Sequence, residues 1–222
     1  MAWHSLLLLC VYRTLFRYIA TLTIYRNQSN PHEPNGGTDR ARAPQQDSDG
    51  GLREREAVGM SARPDVPQFG ALLRDHIQSV PAEAQPAFLA GLERSAAERY
   101  RGWAEQLPDH ADELLACAAS EDRIADIVSG LFPIDADTQA RIDAALPAAV
   151  AVYYDVFEPY TPVEQLYLQS EAEIQGSQAW VRMSEQITDE ATLAALRECT
   201  ELELQSSVAA KEILDLLEPT TV

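Results

Sequence analysis

The chain has 222 residues, 46% of them hydrophobic. That is enough for one sizeable core, and with 10 glycines, 5 Phe and 8 Tyr it favours a single helical domain over an aromatic-rich β-sandwich. The net charge of −18 is uneven: residues 1–66 carry 8 basic and 7 acidic side chains, residues 67–222 carry 9 and 28, so the acidic part repels phosphate backbones and nucleic-acid binding is disfavoured.

The three cysteines, Cys10, Cys117 and Cys199, show neither CxxC nor finger spacing, and an odd count gives no disulfide framework. A reducing, cytoplasmic setting is the expectation. Residues 1–26 form an apolar and basic leader. Arg13 and Arg17 interrupt it one helical turn apart, leaving an apolar run of about seven residues against the roughly 20 that a spanning helix needs. It also lacks the order of charge, apolar run and small-residue cleavage site that marks a signal peptide. An interfacial helix is one reading; an over-extended start ahead of Met60 is the other, and no firm membrane association is expected. Residues 27–66, rich in Asn, Gly, Pro, Asp and Arg, are expected to be a disordered linker.

From Pro67 the apolar residues recur at helical spacing, and residues 67–219 are read as the folded domain. Phe69, Leu72, Leu73, His76 and Ile77 form a short lead-in ended by Pro81. A long helix is predicted from Gln85 to Gln106, stopped by Leu107-Pro108, because a residue before proline is pushed out of the helical region. Asp109 then caps a helix to about Leu131. A connection over 133–161 is partly helical, from Asp137 to Leu146 and from Ala148 to Phe157. Pro162 opens a helix to about Ile187, and Thr188 or Asp189 starts the last, which ends before Pro219. Two hairpins joined by a long crossover describe an all-α four-helix bundle of the crossover type.

The two hairpins repeat each other. Glu93 is followed by Tyr100 at seven residues and by Ala104-Glu105 at eleven; Glu173 is followed by Trp180 and by Ser184-Glu185 at the same intervals. On the returning helices Leu114 and Cys117 precede Glu121 by seven and four, as Leu196 and Cys199 precede Glu203. Spacings of four and seven share a helix face, so Glu93, Glu121, Glu173 and Glu203 are expected to point inward at about one level.

At these residues the pattern resembles the ferritin-like superfamily, and within it the rubrerythrin-type proteins, whose hairpins carry Glu-x6-Tyr going out and Glu-x-x-His coming back. The resemblance covers roughly residues 85–217. It implies a di-iron or di-manganese centre with oxidase, peroxidase or iron-storage chemistry, with Glu93, Glu121, Glu173 and Glu203 as metal ligands and Tyr100 and Trp180 beside them. The chain departs from that pattern at both histidines, which are Ile124 and Ser206 in SEDRIAD and ELELQSS. An isoleucine ligates nothing and a serine ligates weakly, although Gln205 or Glu201 is near enough in sequence to substitute. An all-oxygen set still suits Mn²⁺, Mg²⁺, Ca²⁺ or Fe³⁺, but it lacks the imidazoles that favour Fe²⁺.

Four ionised carboxylates buried without counter-charge cost several kcal/mol each, so such groups bind metal, pair or protonate. Arg99, Arg123 and Arg182 are candidate partners, which would make the bundle a degenerate, non-catalytic structural or protein-interaction module, dimeric through an exposed helix face. A third reading puts the glutamates on a solvated face. Cys117 and Cys199 are a candidate redox pair or ordinary core residues, and His76 and His110 are expected at boundaries. The aromatic run YYDVFEPYTP, Tyr153 to Pro162, is a pocket wall, an interface or simple crossover packing. No phosphate loop, Ser/His/Asp grouping or HExxH motif supports nucleotide binding or hydrolysis.

Overall fold

The computed structural model describes residues 63–185 and 187–217, and among them every regular element is helical. The leader and most of the expected linker lie outside the described residues. The lead-in is two short helices, α1 (Phe69–Leu72) and α2 (Arg74–Gln78), burying Phe69, Leu73 and Ile77. Gln175 clamps its start, accepting from the Phe69 amide at 3.0 Å and donating to the Pro67 carbonyl at 2.9 Å.

Helix α3 (Gln85–Gln106) has the predicted range, with Pro86 in the first turn and Leu107 leaving the helical region before Pro108. Asp109 is not the cap of the next helix. It sits inside a 3₁₀ turn, Pro108–His110, where it lacks the extended backbone that folds a capping side chain onto the following amides, and α4 (Ala111–Leu131) starts with no side-chain cap. Helix α5 (Ala136–Asp155), capped by Asp135 accepting from the Thr138 amide at 2.8 Å, runs unbroken through Pro147, where two pieces were expected. Proline there strips the Asp143 carbonyl of its amide partner. Both residues are exposed, so the freed carbonyl is open to solvent.

Helix α6 (Pro162–Ser184) opens on a capping box: Thr161 and Glu164 exchange hydrogen bonds, 2.9 Å from the Thr161 amide to Glu164 and 3.4 Å in return. It stops short of Ile187. Helix α7 (Glu190–Leu217) begins at Asp189, whose side chain accepts from the Thr192 amide at 2.8 Å.

Helix α3 packs along α4, α6 along α7, and α4 against α7, while α5 lies against α2 and α3. Two apolar clusters form inside. The larger gathers Phe69, Phe88, Trp103, Leu114, Phe157 and Leu166; the smaller gathers Ile124, Val128, Phe132, Trp180, Met183 and Leu196. On α4 the larger cluster takes the residues before Glu121 and the smaller those after it. On α7 the order is reversed around Glu203, so a carboxylate layer divides the core. Leu204 and Val208 on the outer face of α7 stay exposed. No helix among the described residues is long and apolar enough to cross a membrane.

Candidate metal centre

Each long helix of the two hairpins sends one carboxylate into that layer: Glu93 from α3, Glu121 from α4, Glu173 from α6 and Glu203 from α7. Glu121, Glu173 and Glu203 are 0%, 3% and 2% exposed. Glu93 is half-buried, and burial dominates the surroundings of its carboxyl. One oxygen from each of Glu93, Glu121 and Glu203 lies within 4.8 Å of the others. The solvated-face reading is therefore excluded for this layer. Glu173 is outside that trio but buried against it, within hydrogen-bond range of Glu203.

Neutral donors line the layer. The Tyr100 hydroxyl donates to Glu173 Oε1 at 2.8 Å, and Gln169 Nε2, one turn earlier on α6, donates to the same oxygen at 2.6 Å. Gln169 Oε1 in turn accepts from the Tyr153 hydroxyl at 3.1 Å. Trp180 Nε1 donates to Glu203 Oε1 at 2.7 Å, and the Ser206 hydroxyl to Glu121 Oε1 at 3.0 Å. Glu121 Oε2, fully enclosed, has no partner. Tyr100 and Trp180 thus stand beside the carboxylates as expected, but Tyr100 serves the opposite hairpin and Trp180 its own.

Ile124 and Ser206, the two positions where the pattern that the chain resembles carries histidine, differ in their surroundings. Ile124 belongs to the smaller apolar cluster, and Ser206 has become a donor to Glu121. Gln205 and Glu201 are exposed on α7 and do not replace a ligand. No arginine pairs with the four glutamates among the described residues. Arg123 bonds Glu198 at 2.8 Å on the surface, and Arg182 donates to Gln178 at 3.3 Å. Arg99 is buried under aromatic rings, 3.8 Å from the Phe157 centroid, 3.9 Å from Tyr154 and 4.6 Å from Tyr153, with Nε and Nη2 unpartnered. The YYDVF segment is therefore the lid over a caged cation.

With like charges gathered away from water, the carboxyls resist ionisation. The Glu93 carboxyl is pushed up to about 8, first by burial and then by the Glu173 charge. Glu121 and Glu203 are held well above the ordinary carboxylate range, again by burial first, with charges of their neighbours adding to it. Burial also raises both thiols, Cys117 and Cys199, to about 12, so neither is poised as a thiolate. The two cysteines fall in different apolar clusters, which favours core packing over a redox pair.

Two supporting residues lie outside the repeated pattern. Gln169 stands four residues before Glu173, a spacing that puts it on the same inward face, but its first-hairpin counterpart is Leu89, so the repeat passes over it. Gly176 is a lone glycine inside a helix, a signal in itself. A Cβ placed on it would lie 2.6 Å from both Glu203 carboxylate oxygens, so only glycine leaves that carboxylate its room. No family model matches the chain, nor does any curated protein or solved structure.

Proposed function

We propose that this chain is a ferritin-like four-helix bundle, two similar hairpins joined by the α5 crossover, that binds a hard metal cation in its glutamate layer. The observation that carries the reading is four carboxylates sent inward from four helices with, among the described residues, no cationic side chain paired to any of them. A bound cation supplies the compensation that the core lacks. With oxygen donors and no imidazole, Mn²⁺, Mg²⁺, Ca²⁺ and Fe³⁺ are the suited ions, iron or manganese by the family resemblance. The loss of both imidazoles argues against strong Fe²⁺ binding, so oxidase- or peroxidase-like turnover is secondary to binding.

A second reading has its own support. Tyr100, Gln169, Trp180 and Ser206 already satisfy much of the layer, and protonation can neutralise the rest, as in a non-catalytic bundle that serves as a structural or partner-binding module. Leu204 and Val208 are its candidate contact face. Metal analysis after reconstitution with Fe or Mn separates the two. Uptake near one equivalent or more, with a rise in melting temperature, supports the first. Less than about a tenth of an equivalent, with no loss of metal-dependent stability in the double variant Glu121→Ala, Glu203→Ala, supports the second.

A further inference from the structure

We infer that the layer holds a single hard divalent cation, ligated by Glu93, Glu121 and Glu203, with Glu173 supporting the site from outside; this rests on the cation-binding reading above. An ion touching two oxygens at about 2.0–2.6 Å cannot hold them more than about 4–5 Å apart. One oxygen from each of Glu93, Glu121 and Glu203 lies within 4.8 Å of the others, so a small inward shift of the side chains brings all three onto one ion, and Glu173 is not part of the set. Independently, Glu121 Oε2 is fully buried with no hydrogen-bond partner, the one orphaned carboxylate oxygen of the layer. A buried oxygen without a donor is costly unless a cation fills the gap.

Glu173 is engaged differently, since its Oε1 already accepts from both Tyr100 and Gln169. A second ion would have to take Glu173 as a terminal ligand in competition with those two donors, and the Ser206 hydroxyl is itself committed to Glu121. The donors on Glu173 and Glu203 instead fix carboxylate directions around one ion, as outer partners of ligands do. Three carboxylate oxygens and no nitrogen or sulfur leave the remaining positions to water, the preference of Mg²⁺ and Mn²⁺.

The test is Mn²⁺ titration of the full metal-free chain by calorimetry, with electron paramagnetic resonance at saturation. The expected result is one Mn²⁺ per chain with the spectrum of an isolated ion. Glu93→Gln, Glu121→Gln and Glu203→Gln should each weaken binding more than about 100-fold, and Glu173→Gln, which changes only an outer partner, by about tenfold. Circular dichroism of each variant checks folding, and the spectrum of the unsubstituted protein reports stoichiometry without any variant. Two ions per chain, a spin-coupled spectrum, or Glu173→Gln as damaging as the others would overturn the single-ion inference and leave cation binding intact. No Mn²⁺ uptake by the folded protein would overturn both.

Discussion

The two hairpins carry matching glutamates, leucines and cysteines at the same intervals within each helix and put them to different uses. In the second, the outgoing glutamate, Glu173, is tied by Tyr100 and Gln169, and the returning one, Glu203, by Trp180. In the first, Glu121 keeps a bare oxygen and Glu93 is held by surroundings more than by donors. Equal spacing fixes which way a side chain faces along its own helix. What it meets there is set by the neighbouring helix, and the neighbours differ.

Gly176 offers the strongest way to break this comparison. Gly176→Ala drives a methyl into the Glu203 carboxylate and should weaken Mn²⁺ binding by about 10- to 100-fold. Gly91→Ala, on the matching outgoing helix, meets only the end of the Leu146 side chain. It should leave the affinity unchanged at a stability cost of about 1–3 kcal/mol. Calorimetry and thermal melts of the two variants give the contrast; equal losses of affinity would dissolve it.

Protonation gives the next test. A carboxyl such as Glu93, raised to about 8 when folded, keeps a proton that the unfolded chain releases near 4.5. Stability of the metal-free protein therefore falls as pH rises through that window, by about 1.4 kcal/mol per pH unit for each proton retained. Saturating Mn²⁺ should flatten the slope, because the metal-bound layer and the unfolded chain are then both deprotonated across most of that window. Melting temperatures from pH 5 to 8, with and without Mn²⁺, read both slopes, and a flat metal-free profile would count against the buried cluster.

The donors separate the halves further. Tyr100→Phe and Trp180→Phe each strip a hydrogen bond from a buried carboxylate and should cost about 1–3 kcal/mol. Only Trp180→Phe should also weaken Mn²⁺ binding, because its partner is a proposed ligand. The smallest effect belongs to Arg99. Removing its charge with Arg99→Met takes away an unpaired buried cation near Glu173 and should tighten Mn²⁺ binding about threefold.

Much of the helical frame was legible. Leu107-Pro108 marked the end of α3, Pro162 the start of α6, and the four-and-seven spacing turned the four glutamates inward. Pro147 misled because a helix tolerates proline where water can reach the freed carbonyl, which is a matter of burial and not of local sequence. The division of roles among the glutamates was hidden for a related reason. Tyr100 reaches Glu173 across 73 residues of chain, and Ser206 reaches Glu121 across 85. Both arise only when the hairpins close. Arg99 looked like a partner for a glutamate and instead packs into the aromatic segment of the crossover.

Anomalous diffraction from Mn²⁺-soaked crystals of the full chain tests the carboxylate layer most directly. One anomalous peak bounded by Glu93, Glu121 and Glu203, with Glu173 still bonded to Tyr100, is the expected result. A layer without a peak, its carboxyls bonded only to one another, would contradict it.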